Sequence, residues 1–151
     1  MMDCIHLQQT LPAVFADRNS IESDVWHKDI RFEKKGIYLI EAASGTGKSS
    51  LCNFIYGYRK DYQGIINFNS DNIRSYKIKQ WVEIRKHSIS MLFQDMRLFT
   101  ELTAMENILL KNNLTHFKSK KEIVSFFEAM GIADKLDSKV GRLSFGQQQR
   151  V

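Results

Sequence analysis

Polar and apolar residues alternate from Asp29 to Glu33 (DIRFE), the period of a half-buried strand, and Lys34-Lys35-Gly36 marks a turn after it. Ile37-Tyr38-Leu39-Ile40 is a short continuous apolar run between turn signals, which predicts a buried parallel strand. After a glycine-containing stretch, Leu51, Phe54 and Ile55 recur at helical spacing. They predict a helix from Lys48 to Tyr56, with Gly57 placed to cap its C-terminus. Gly64 to Phe68 (GIINF) reads as a strand followed by the polar turn Asn69-Ser70-Asp71-Asn72. Lys77 to Lys86 reads as a helix with Ile78, Trp81, Val82 and Ile84 apolar, and Ser88 to Phe93 (SISMLF) as a second buried strand.

Beyond Phe99 the pattern changes, and no strand is predicted as far as Val140. Thr103 with Glu106, and Ser119 with Glu122, are serine/threonine-to-glutamate pairs three residues apart. Each is the sequence form of a capping box, and they open helices predicted over 103–111 and 119–130. The fold class that follows is α/β, a mixed portion over about 1–98 and a helical portion over about 99–151. Trp26, Tyr38, Phe126, Phe127 and Met130 read as core residues. The run Lys118-Ser119-Lys120-Lys121 reads as a solvated helix start.

Bulk properties narrow the picture only modestly. The 151 residues suffice for one domain with a real core. No apolar run approaches the roughly 18 residues that span a bilayer. The N-terminal stretch has an early Asp3 and no basic segment, which argues against a secretory signal. Cys4 and Cys52 show no paired spacing and read as reduced thiols of a cytosolic protein. The net charge of +5 fits nucleic-acid binding and docking near an anionic membrane equally well. His6, His27, His87 and His116 are scattered without ligand spacing, so no metal site is expected beyond Mg²⁺ carried by a nucleotide.

The candidate chemistry lies between the first apolar run and the helix after it, in EAASGTGKSS, residues 41–50. A strand running into SGTGKSS and then into a helix delivers backbone N–H groups and a helix N-terminus to one point, which is an anion site. Gly45 and Gly47 permit unusual backbone angles and close approach of phosphate oxygens. Lys48 is expected to reach the β- and γ-phosphates, Ser49 to ligate Mg²⁺ and Ser50 to bond an α-phosphate. Ser44 and Thr46 complete the loop. Ala42 stands where such loops start with glycine, which is tolerable if its φ stays negative.

Two further stretches matter with it: Met91-Leu92-Phe93-Gln94-Asp95, and Leu143 to Arg150 (LSFGQQQR). On its own residues the second is equally an N-capped helix with Ser144 as cap. In this order the three stretches resemble an ATP-binding-cassette (ABC) ATPase domain: the Walker A loop, the Q-loop and the LSGGQ signature. The resemblance runs from about Ile30 to Val151. Residues 93–110 are similar to the lipoprotein-releasing and cell-division type of ATP-binding subunit. Phe145 departs from the family's glycine, while Gly146 is kept.

The resemblance implies a P-loop NTPase core with an N-terminal β portion and an inserted α-helical subdomain. Its implied cofactors are ATP and Mg²⁺. It gives Gln94 a catalytic and metal-contacting role, at a groove that receives a transmembrane permease subunit. It also implies that Ser144, Gly146 and Gln147 contact the γ-phosphate of ATP held by the loop of a second copy, in a head-to-tail dimer. The family stacks adenine on an upstream aromatic residue, for which Phe15 is the candidate, although a plain strand residue is the other reading. The protein is then expected to be cytoplasmic, peripheral at the membrane, and without a nucleic-acid partner.

After the signature the sequence shows no strand ending in Asp-Glu and no switch histidine. The chain therefore reads as truncated before the Walker B strand, with ATP hydrolysis expected of the full-length protein and not of this piece. The alternatives are a non-transport ABC ATPase, a catalytically inactive nucleotide-binding regulator, and a P-loop kinase, the last of which gives no reason for LSFGQ.

Overall fold

A computed structural model describes residues 2–17, 21–93 and 95–151. The chain is a mixed α/β protein of two compact units, Met1–Met91 and Leu92–Val151.

The first unit is built on a four-stranded antiparallel sheet. Its strands are β1 (Cys4–Pro12), β2 (Asp29–Glu33), β3 (Tyr62–Phe68) and the short β4 (Asp71–Asn72), in the order β2-β1-β3-β4. Leu7 is the central rung, paired with Ile30 on one side and Ile66 on the other. Both Leu7 and Ile66 are fully buried. The β1–β3 register shifts between Gln8 and Leu11. Gln9 at the shift has a φ of 49°, and a Cβ built on the facing Gly64 would lie 2.3 Å from the Gln9 carbonyl oxygen. Glycine is required there because two backbones meet. Such a bulge bends the strand, and β1 leads through Pro12 into a 3₁₀ turn, Ala13–Phe15.

Helix α1 (Lys48–Ile55) turns Leu51 and Phe54 into this core. It ends as the sequence predicts: Tyr58 N–H bonds to Asn53 O at 2.9 Å and Gly57 N–H to Phe54 O at 3.0 Å. This is the double bond of a Schellman cap, with Gly57 at φ 75°. Gly57 is doubly constrained, because a Cβ on it would meet the Trp81 ring at 2.5 Å. Trp81 comes from α2 (Ile78–His87), where the helical spacing holds and Trp81 is the buried residue. Trp26 is core as expected, 5% exposed.

Two expected strands do not form. Ile37–Ile40 is irregular and open to solvent, with Ile37 100% and Leu39 83% exposed. Tyr38, expected in the core, is half-exposed. Its hydroxyl accepts from Glu33 N–H at 2.8 Å, and its ring meets Phe32 edge-on at 5.0 Å. Ser88 closes α2 as its C-cap, and the described residues of 88–93 contain no strand. The physical reason is shared. An apolar run announces burial, but a strand also needs a neighbour to accept its ladder. All the ladders among the described residues are antiparallel pairs of β1–β4, and neither run joins them.

The second unit contains α3 (Ala104–Asn112), α4 (Lys120–Ala129) and the short α5 (Phe145–Gln148). Both predicted capping boxes are present. Thr103 Oγ1 accepts from Glu106 N–H at 3.1 Å while Glu106 Oε2 accepts from Thr103 N–H at 2.7 Å, and Ser119 and Glu122 do the same at 3.3 and 2.9 Å. Three bonds to Glu122 pull its carboxyl from the usual 4.5 to about 2: from the Ser119 backbone first, then from Lys118 and the Ser119 hydroxyl. The core gathers Ala104, Met105, Ile123, Phe127, Ile132, Val140 and Leu143. Phe126 and Met130, read as core, are instead about half exposed, because α4 turns only Ile123 and Phe127 fully inward. Lys118 fits a solvated helix start, its Nζ bridging to Glu122 at 2.9 Å.

Candidate functional site

The loop Glu41–Gly47 joins the exposed run to α1, and its two glycines both sit in left-handed backbone, Gly45 at φ 77° and Gly47 at φ 100°. Ala42 is absent from the positive-φ positions, so alanine is unstrained there. Gly47 serves as the N-cap of α1 and supplies no side-chain cap.

The loop's carbonyls are turned inward. Thr46 Oγ1 donates to Ala43 O at 2.7 Å, Lys48 Nζ donates to Ala43 O at 2.8 Å and also to Ala42 O, and Trp26 Nε1 donates to Thr46 O at 2.9 Å. The N–H groups of those three peptide units are those of Ala43, Ser44 and Gly47, each opposite to its bonded carbonyl in a trans peptide. The N–H groups of Gly47, Lys48, Ser49 and Ser50 open α1, where a helix has no acceptors of its own. No other group among the described residues accepts from them. Backbone N–H groups without acceptors at a helix start, with an ammonium beside them, are the donor set that an anion would need.

The surroundings fit a phosphate. Nothing lies within 4 Å of a Cβ built on Gly45, so the tip is open, whereas one on Gly47 would lie 2.9 Å from Trp26 Cζ2 and 3.1 Å from Phe15 Cε2. A cleft of about 390 Å³ runs beside the loop, lined by Ser23, Trp26, Ala43, Thr46 and Lys48 among others. Ser49 is exposed one residue into the helix. Ser50 Oγ accepts from Arg59 Nη1 at 3.2 Å, leaving its single O–H to donate elsewhere. Arg59 is itself fixed by a two-point bond to Asp61, which holds the Asp61 carboxyl below and the guanidinium above their usual ranges.

Phe15, the candidate adenine platform, borders the cleft but is 5% exposed and packed into the sheet core. A base stacks on an open ring face, and the Phe15 ring is buried, with its Cε2 3.1 Å from a Cβ built on Gly47. Gln94 lies outside the described residues.

In the second unit, Ser144 caps α5. Its Oγ accepts from Gln147 N–H at 3.3 Å, and Gln147 Oε1 accepts from Ser144 N–H at 2.9 Å. Gly146 is exposed with nothing within 4 Å of a Cβ position, and Phe145 beside it is 68% exposed, so neither fills a packed site. Gln148 anchors the turn from below, its Nε2 donating to Val140 O and Leu143 O at 3.1 and 3.0 Å. Sequence reasoning missed the parts played by Trp26 and Arg59. Trp26 reaches the loop across twenty residues of chain and Arg59 reaches Ser50 across nine, and no local spacing signals either.

No helix among the described residues is long and apolar enough to cross a membrane. A family model for ABC transporter matches residues 27–151. The chain is 28% identical over 154 residues to the lipoprotein-releasing system ATP-binding protein LolD of Legionella pneumophila, covering 100% of this chain and 68% of that protein. It is 33% identical over 126 residues to the bacitracin export ATP-binding protein BceA of Halalkalibacterium halodurans, covering 82% and 50%. It is 31% identical over 121 residues to the ABC transporter ATP-binding protein YtrE of Bacillus subtilis, covering 78% and 52%. The chain thus spans about half to two-thirds of the length of these relatives. With the matched model covering the phosphate-loop helix, both capping boxes and the Ser144 turn, the chain belongs to the ABC transporter family.

Proposed function

We propose that this chain is the nucleotide-binding part of an ATP-binding transporter subunit, which holds Mg-ATP on the Ser44–Ser50 loop and works on a membrane partner. One observation carries the reading: a loop with Gly45 and Gly47 in left-handed backbone, the N–H groups that open α1 without acceptors among the described residues, and Lys48 beside them. Triphosphate is the ligand that matches several free N–H donors plus an ammonium. Lys48 would exchange its two carbonyl acceptors for β- and γ-phosphate oxygens. Ser49 would hold Mg²⁺, with Gln94 as the second protein contact, and the free proton of Ser50 would go to an α-phosphate oxygen. Bound Mg²⁺ would supply charge neutralisation at the phosphates.

A second copy completes the site in this proposal. Ser144, Gly146 and Gln147 would offer their hydroxyl, amide and side chain to the γ-phosphate, so that ATP joins two copies head to tail. The relatives are named as ATP-binding proteins of lipoprotein-releasing and bacitracin-export systems. Their likeness supports a permease as the partner near Gln94, a place at the cytoplasmic face of a membrane, and ATP hydrolysis by the whole protein as the driving step.

Unfolding the chain with and without Mg-ATP tests the binding step. At a ligand concentration of one hundred times Kd, stabilisation of about 2.7 kcal/mol is expected. An unchanged unfolding midpoint at millimolar Mg-ATP would remove the basis of the proposal.

A further inference from the structure

We propose that Trp26 is a positioning residue for the phosphate loop: it sets the direction of the Gly47 amide through its hydrogen bond to the Thr46 carbonyl. The inference rests on the nucleotide reading above and adds to it a residue outside the loop.

The indole N–H is the only polar donor of the Trp26 side chain, and it is used on Thr46 O at 2.9 Å. Thr46 O and Gly47 N–H belong to one peptide unit. No cis peptide is present among the described residues, and in a planar trans unit these two groups point in opposite directions. Pinning the carbonyl inward on the indole therefore fixes the Gly47 N–H outward, at the start of α1. Left-handed glycine alone does not specify this. Gly47 has no side chain to restrain it, and a peptide flanked by Thr46 and Gly47 is free to rotate unless one of its groups is held.

Trp26 is itself held firmly enough to serve as an anchor. It is 5% exposed. Ser23 Oγ accepts from Trp26 N–H at 3.0 Å and from Val25 N–H at 3.1 Å. The next residue, His27, donates its N–H to Thr10 O of β1 at 3.1 Å. The ring lies directly beneath the loop, since a Cβ on Gly47 would stand 2.9 Å from Cζ2. A short path of bonds thus ties the sheet to the phosphate loop, from Thr10 through the His27 and Trp26 backbone to the indole and Thr46. The indole underneath thus both crowds any side chain at position 47 and orients the amide there.

The test compares Trp26→Phe, which keeps an aromatic ring and removes the N–H, with the unaltered chain. Mg-ATP affinity should fall about three- to tenfold, the worth of one net hydrogen bond, and the nucleotide-free melting midpoint should change little. A second measurement uses Trp81→Phe, which leaves Trp26 as the only one of the chain's two tryptophans. Trp81 Nε1 is buried without a hydrogen-bond partner, so that change removes no hydrogen bond. In this variant saturating Mg-ATP should shift the Trp26 emission.

Undiminished affinity in Trp26→Phe, or unchanged emission in Trp81→Phe at saturating Mg-ATP, overturns the proposal. Should Trp26→Phe not fold, the emission measurement decides alone. An unaltered chain that does not bind Mg-ATP refutes the nucleotide reading first and this inference with it, so the two failures are told apart.

Discussion

Lys48 Nζ lies 2.8 Å from the carbonyl oxygen of Ala43, so the loop's one ammonium is bonded to the loop's own backbone. Both groups are exposed, and an exposed bond of this kind contributes little net stability. Lys48→Ala should therefore lower the stability of the nucleotide-free chain by no more than about 1 kcal/mol. Urea unfolding monitored by far-UV circular dichroism checks this. A loss of several kcal/mol would mean that Lys48 is structural, and its loss of binding could then not be assigned to phosphate.

The two loop glycines are predicted to differ. At Gly45 an added Cβ meets nothing, so Gly45→Ala carries only the left-handed strain of about 1–2 kcal/mol. At Gly47 the same strain combines with overlap on Trp26 and Phe15, and the cost should rise to about 2–5 kcal/mol. Equal destabilisation of the two variants in denaturant titrations would contradict the packing of Trp26 and Phe15 under Gly47.

Glu122 gives the second unit a dependence on pH. Its folded carboxyl sits at about 2, against 4.5 without its partners, so the unfolded chain takes up the proton first as pH falls. The stabilising contribution is complete above 4.5 and is lost as pH drops from 4.5 towards 2. Glu106 is depressed in the same direction by its bonds to Thr103. Melting midpoints of Glu122→Gln should fall below the parent at neutral pH and converge with it towards pH 2; a constant gap across that range would argue against the capping carboxylate.

The exposed run Ile37–Ile40 should make the 151-residue chain associate. Ile37 and Leu39 present their side chains almost wholly to water, and contiguous apolar surface of this kind drives self-association. Sedimentation velocity should show weight rising with concentration, and Ile37→Lys with Leu39→Lys should suppress it. A strictly monomeric parent chain would show that the run is covered in solution.

Which of these features could be read from the sequence follows from how local their causes are. The capping boxes at Thr103–Glu106 and Ser119–Glu122, the Gly57 cap and the Leu51–Phe54 helix face each depend on residues within one or two turns, and each is present. The glycine turn into α1 could be read for the same reason, because Gly45 and Gly47 act on the backbone at their own positions, just before the helix that Lys48 opens. Ile37–Ile40 and Ser88–Phe93 could not be read, because a strand's existence depends on a partner elsewhere in space. Phe126 was misread because the choice between two neighbouring phenylalanines depends on the helix's rotation, which only Phe127 satisfies. Trp26 could be read as core, but its bond to the loop could not, because that hydrogen bond spans twenty residues of chain.

The central claim is that the Gly45–Gly47 cradle binds triphosphate, and isothermal titration of the chain with Mg-ATP tests it most directly. Saturable binding that disappears in the folded Lys48→Ala variant is expected. No binding by the parent chain, or undiminished binding by Lys48→Ala, would contradict it.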